Sequence, residues 1–194
     1  SRFLPPWEGD AAHPVDGFTG RTPRVFAMRV EREFAAWHMV GLFNWDDTYA
    51  DIAVDRAAIT GPGRWCAFDV WDERYLGPIG RRLVARDIPP HGCRLLALRP
   101  VLDRPQLAGT NGHLLQGAVD ITACTDGPGA LALTLDHCLP GERRLLFRVP
   151  APFTLRKVET DARDHLVDQR RPGLVTVHLN GPRRIHLRLQ WRRG

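Results

Sequence analysis

Hydrophobic and polar residues alternate in short runs along most of this chain, and the runs are cut by glycine and proline. From Val25, the side chains Phe26, Met28 and Val30 point one way, and Ala27, Arg29 and Glu31 the other. Trp37, Met39, Gly41 and Phe43 then mark a second strand, with His38, Val40 and Leu42 opposite. Val30, Phe34 and Trp37 also fit a helical stripe, and propensity from Glu31 to Ala36 favours helix. Two strands are the better reading, because the stretch beyond Trp37 is apolar on both faces and holds Gly41. Asn44-Trp45-Asp46-Asp47 reads as a polar turn, Ile52–Val54 as a strand and Gly61-Pro62-Gly63 as a loop. Trp65–Val70 alternates again, Asp72 and Glu73 turn, and Leu83-Val84 is a short strand. Pro89-Pro90-His91-Gly92 is a tight turn into a strand over Cys93–Leu98.

Pro100 to Gly112 carries Pro100, Pro105, Gly109 and Gly112, and an internal boundary is expected there. Strands are predicted beyond it over Leu114–Ala123, Leu131–Leu135, Leu145–Val149, Phe153–Glu159, Leu174–Leu179 and Ile185–Trp191. The turns between them are Asp126-Gly127-Pro128-Gly129, Pro140-Gly141 and Asn180-Gly181-Pro182, and the Asn-Gly pair predicts a hairpin. The expected fold is all-β, an antiparallel β-sandwich architecture with two consecutive packed β-domains. Residues 1–24 form an extended leading segment, 25–104 the first domain and 105–194 the second. Trp7 would anchor the leading segment, and Trp37 and Trp65 would lie in the core.

Composition changes this picture little. With 194 residues the chain can bury a real core, and 43% hydrophobic with 25% charged residues is ordinary for a globular protein. No apolar run approaches the roughly 20 residues of a membrane span, so no membrane partner is expected. Ser1–Asp10 lacks the charged-then-apolar order of a signal peptide. The absence of an initiator methionine reads as a cut or processed end, which suits a soluble fragment.

The net charge of +5 comes almost wholly from arginine, Lys157 being the single lysine. Much of it lies late in the chain, yet Arg184, His186 and Arg188 alternate with Ile185, Leu187 and Leu189. That pattern is a solvated strand face, and no nucleic-acid partner is expected. Cys66, Cys93, Cys124 and Cys138 show no CxxC spacing, so no zinc site is expected. Buried free thiols are the simpler reading; a disulfide between one pair stays open.

Candidate chemistry is sparse. Ser1 is the only serine. No histidine pair has metal-ligand spacing, and Gly127-Pro128-Gly129 lacks the lysine and helix of a phosphate loop, so neither a metal nor a cofactor is expected. His113 reads as a packed boundary residue, and His178 and His186 as exposed strand positions. The doublets Asp46-Asp47 and Asp72-Glu73 diverge on an extended chain, and Asp46, Asp47 and Asp72 are expected to bond local backbone amides. Trp45, Trp71 and Tyr75 lie at or beside turns, where aromatic rings can stack on sugars.

Four segments carry a family resemblance. Trp37-His38-Met39-Val40-Gly41-Leu42-Phe43-Asn44-Trp45 resembles the strand and turn that open the C-terminal β-domain of α-galactosidase-like (melibiase; family 27 and 36) glycoside hydrolases. Phe68-Asp69-Val70-Trp71 is similar to the segment that follows there, and Pro89-Pro90-His91-Gly92-Cys93-Arg94-Leu95-Leu96 to the final turn and strand. Gly109-Thr110-Asn111-Gly112-His113-Leu114-Leu115-Gln116-Gly117 looks like the join that follows in many bacterial members. The pattern spans Leu4 to Asp120; beyond Cys124 the likeness is one of style.

The resemblance implies an accessory β-region whose parent enzyme catalyses on a preceding (β/α)8 barrel with two aspartates. Such a barrel needs about 250 residues, so no catalytic residue is carried over to this chain. The implied partner is that barrel. The alternative is a carbohydrate-binding module using Trp45, Trp71 and Tyr75.

Overall fold

The computed structural model describes residues 11–17, 22–127, 129–136 and 141–194. Trp7 and most of the leading segment, Pro128, Cys138 and Pro140 lie outside the described residues. The described chain is all-β, with sixteen strands and one short 3-10 turn at Arg56–Ala58. Among the described residues no helix is long and apolar enough to cross a membrane.

The first strands are β1 (His13–Pro14), β2 (Val25–Arg32), β3 (Ala35–Phe43), β4 (Ala50–Asp55), β5 (Trp65–Asp69), β6 (Arg74–Ile79), β7 (Arg82–Ile88) and β8 (Cys93–Pro100). Six of them form an antiparallel sheet in the order β1-β2-β3-β8-β5-β6, and β4 pairs with β7 as a separate two-stranded ribbon. A tight turn at Glu33-Phe34 separates β2 from β3, so two strands replace the helical alternative. The sheet is buried on both faces. On one, Val40, Leu42, Ala67, Leu96 and Leu98 meet Ile52, Leu83 and Ile88 from the ribbon. On the other lie Val30, Trp37, Met39, Phe68 and Ala97. That two-sided cover explains why the stretch beyond Trp37 carries apolar residues on both faces.

The second set is β9 (Gln106–Thr110), β10 (Ile121–Gly127), β11 (Ala130–Asp136), β12 (Arg143–Arg148), β13 (Phe153–Thr160), β14 (Asp164–Asp168), β15 (Leu174–Asn180) and β16 (Arg184–Arg193). They make two four-stranded antiparallel sheets, β10-β11-β16-β13 and β14-β15-β12-β9. The inward alternation of Leu131, Leu133 and Leu135 meets Leu145, Phe147, Val175 and Val177 across the sandwich. In β16 the buried positions are Ile185, Leu187 and Leu189 and the exposed ones Arg184, His186 and Arg188, as the alternation predicts.

Several expectations need correction. The Asn180-Gly181 turn is no hairpin: β15 and β16 belong to opposite sheets, so the turn carries the chain across the sandwich. Gly181 packs where a Cβ would meet Ala162 Cα at 3.1 Å, which makes this crossing a close approach between two loops. The strand predicted from Leu114 starts only at Ile121. Residues 114–120 instead coil through turns, closed by Gln116 N–H donating to His113 O and Ile121 N–H to Gly117 O. Gly117 sits at φ +101°, a conformation that favours glycine. β6 and β14 were not visible as alternation. β6 holds Gly77 and Pro78, β14 is half charged, and both are sheet edges, where such residues are tolerated.

Among the described residues three thiols are free: Cys66 is buried, and Cys93 and Cys124 half-buried. Trp37 is wholly buried, while Trp65 is half-buried against the core beneath the ribbon.

Candidate functional site

The four family-like segments prove to be neighbours. Strand β8 lies between β3 and β5, with Phe43 opposite Cys93 and Val70 N–H donating to Leu95 O. Trp45 and Trp71 therefore flank the start of β8. Asn44, wholly buried, pins this end: its amide donates to the carbonyls of Thr48, Ile88 and Pro89. Asp69, also buried, accepts from the amides of Trp71 and Asp72. Asp69, and Asn44 through Oδ1 accepting from Asp46 N–H, make the bonds to local backbone amides expected of Asp46, Asp47 and Asp72. These three pair with basic side chains instead: Asp46 with Arg24 at 2.6 Å, Asp47 with His91 at 2.9 Å and Asp72 with Arg94 at 2.8 Å. The side chains point outward at the sheet end, where the side chains of Arg24, His91 and Arg94 reach them.

The fourth segment is a joint between the two sets of strands. Leu115 from it and Ala118 just beyond it, with Leu146 of β12, cover the Trp37–Phe68 face of the six-stranded sheet. Gly109 lies against the Phe68 ring and Gly112 against the Asp120 carboxylate, each too close for a Cβ. The Gln116 side chain is buried; it accepts from Thr110 N–H and donates to Thr110 O and His113 O. From the first sheet, Arg99 donates to Gln116 O at 2.5 Å and lies 4.3 Å over the Trp37 ring. Burial pulls the Arg99 guanidinium down to about 10. His113, as expected, is a packing residue, its Nδ1 accepting from Leu115 N–H.

Beside this joint opens a cleft of about 550 Å³. Its floor is the outer face of β12 and β15, with Arg144, Leu146, Thr176 and His178. The β5–β6 turn contributes Glu73 and the start of β6 Tyr75; the end of β14 contributes Asp168, and the loop after it Arg170 and Arg171. A β-bulge aims Tyr75: between the Phe68–Tyr75 and Ala67–Gly77 pairs β6 carries one extra residue. Tyr75 consequently shares the face of Phe68, whereas Ile79 packs on the opposite core. Burial raises the Tyr75 hydroxyl well above its ordinary value.

Of the three aromatic candidates, only Tyr75 lines the cleft. Trp45 is 44% exposed, stacks on Phe43 with centroids 5.2 Å apart, and donates through Nε1 to Pro23 O. Trp71 is 49% exposed at the sheet end. His178 is half-buried rather than exposed; its Nδ1 lies 3.0 Å from Glu142 Oε1 at the cleft rim. Nothing in its strand alternation distinguishes it from His186, because only the packing of the first set against this sheet makes that face concave.

Two carboxylates, Glu73 and Asp168, do line one cleft, which the separate turns did not foretell. Each has a cation beside it. Arg144 Nη2 lies 2.9 Å from Glu73 Oε2. Arg170 grips Asp168 through Nε and Nη2, the shortest contact being 2.6 Å, and donates its amide to the same carboxylate. The Arg170 side chain, then its amide, hold Asp168 well below the ordinary carboxylate range. A general acid needs a proton near neutral pH, which such a carboxylate does not retain. Among the described residues no group of three His, Cys, Asp or Glu is placed to hold a metal ion.

No protein-family model matches the chain, and no curated protein matches it. Among solved structures it is similar to a GH27 β-L-arabinopyranosidase from Geobacillus stearothermophilus, in an arabinose-bound variant form and in the wild type. Identity is 20% to each, over 48% and 50% of this chain, with TM-scores of 0.40. It is also similar to the Arthrobacter globiformis T6 isomalto-dextranase complexed with panose, at 16% identity over 94% of this chain, with a TM-score of 0.36. The chain spans about a fifth of the length of the arabinopyranosidase and 39% of that of the dextranase. All three structures are of glycoside hydrolases, and none is of a galactosidase.

Proposed function

We propose that this chain is a non-catalytic accessory β-region of a glycoside hydrolase, of the α-galactosidase-like type that its motifs resemble, packing on that enzyme's catalytic barrel. The observation that carries the reading is the use made of the four family-like segments. They form one continuous framework, β3, β8 and β5 side by side with the joint on their face. Their buried polar residues, Asn44, Asp69, Thr110 and Gln116, are engaged in holding that framework together. Trp45 and Trp71 stand exposed at its end, and they are the residues proposed to meet the barrel.

The lack of catalysis is supported by the state of the cleft acids. Glycoside hydrolysis needs two carboxylates across the scissile bond, roughly 5 Å apart for retention or 6.5–9.5 Å for inversion, one of them carrying a proton. Glu73 and Asp168 each face a guanidinium, and Asp168 is held ionised. Incubating the purified chain with aryl α-galactosides is expected to release no phenol. Turnover that disappeared in Glu73→Gln or Asp168→Asn would overturn the reading.

A further inference from the structure

The cleft beside the joint gathers residues from five stretches of the chain: the β5–β6 hairpin, the end of β9, β12, β15 and the end of β14 with the loop after it. Its volume of about 550 Å³ falls within the roughly 300–1,000 Å³ of small-molecule sites. Its acidic and basic side chains adjoin one another, with Arg171 a further guanidinium on the wall. Glu73 faces Arg144 at 2.9 Å, Arg144 faces Glu142 at 3.6 Å, Glu142 faces His178 at 3.0 Å, and Asp168 faces Arg170 at 2.6 Å. Donors and acceptors are therefore interleaved over the floor and walls.

That interleaving selects a ligand chemistry. An anion would satisfy the guanidinium donors but meet Glu73 and Asp168 at close range. An apolar ligand would strand charged groups away from water. A hydroxyl both donates and accepts, so neighbouring hydroxyls on one ring can bridge a carboxylate and the guanidinium beside it. Thr176, whose hydroxyl makes no side-chain hydrogen bond among the described residues, adds a group of the same dual kind. Tyr75, Leu146 and Leu174 supply an apolar wall for the C–H face of such a ring.

We propose that this cleft binds a neutral saccharide, with Glu73, Arg144, Thr176 and His178 engaging its hydroxyls and the Tyr75 ring its apolar face. The site differs from one built on Trp45 and Trp71, and it stands whether or not the parent enzyme is a glycosidase.

The test is a titration of the whole chain, followed by amide chemical shifts, with galactose, glucose and melibiose, and with glucuronate and sulfate as anionic counterparts. The expected result is saturable movement of the Asn111, Arg144 and Thr176 amides with a neutral sugar. Glu73→Gln and Thr176→Val should each weaken binding about tenfold. Trp71→Ala should leave it unchanged. Thr176→Val removes no ion pair, so it decides the matter if Glu73→Gln unfolds. Absence of saturable shifts with all three neutral sugars at tens of millimolar overturns the proposal. Tighter binding of sulfate or glucuronate, lost in Arg171→Ala, overturns it in favour of an anion site.

Discussion

Asp120 sits 5% exposed behind Gly112, and its Oδ1 makes no hydrogen bond among the described residues. Burial pushes this carboxyl above its ordinary value, against the pull of His113 and Arg99. Between the ordinary and the raised value the folded chain binds more protons here than the unfolded chain does. The stabilisation from this group is thus complete below the ordinary carboxylate value and is lost as pH rises through the raised one. Asp120→Asn, which cannot ionise, is expected to be at least as stable as the wild type at neutral pH. Denaturant midpoints followed from about pH 4 to pH 7 check this: the wild type should lose ground to the variant as pH rises. A wild type that gained on the variant would contradict it. The glycines around this group were legible as turn residues, but Gly109 and Gly112 act as close-contact residues, against Phe68 and Asp120. No local pattern reveals which distant side chain will press on a glycine.

Strands followed the period-two pattern wherever one face is buried and the other wet, as β11, β12, β15 and β16 show. Leu187 in β16 is 1% exposed between β11 and β13, while Leu166 in edge strand β14 is 63% exposed. Leu187→Ala should cost about 2–5 kcal/mol through lost burial and an unfilled cavity. Leu166→Lys should stay within about 0.5 kcal/mol of the wild type. Chemical unfolding of the two variants measures the contrast; similar losses would mean that β14 is covered in solution. Asn180-Gly181 illustrates where element-level reading stops. The dipeptide signals a tight reversal of the chain, but whether the next strand pairs or crosses depends on which sheet has room for Ile185 and Leu187.

At the scale of the whole molecule, the joint and β12 cover one face of the six-stranded sheet among the described residues. Without them Trp37, Met39 and Phe68 would meet water, so the two sets of strands are expected to unfold together in one calorimetric transition. Gln116→Leu strands the amide and carbonyl of Thr110, at a cost of about 1–3 kcal/mol for each unsatisfied group. This variant should split the transition into two, the first set melting earlier. A wild type that already melts in two steps would show that the joint couples nothing.

Much of this was settled by the chain's own pattern. Alternation is a local property, carried by residues two apart, and it determined the all-β class, most strands, and the burial of β16's leucines against its arginines. Partnership is not local. Pairing of β8 between β3 and β5, the crossing at Asn180-Gly181, and the cleft that unites Tyr75, Arg144 and His178 all join residues far apart in sequence. Only the burial energy of opposed faces selects among such arrangements, so the tertiary structure alone decided where the polar groups of this protein converge.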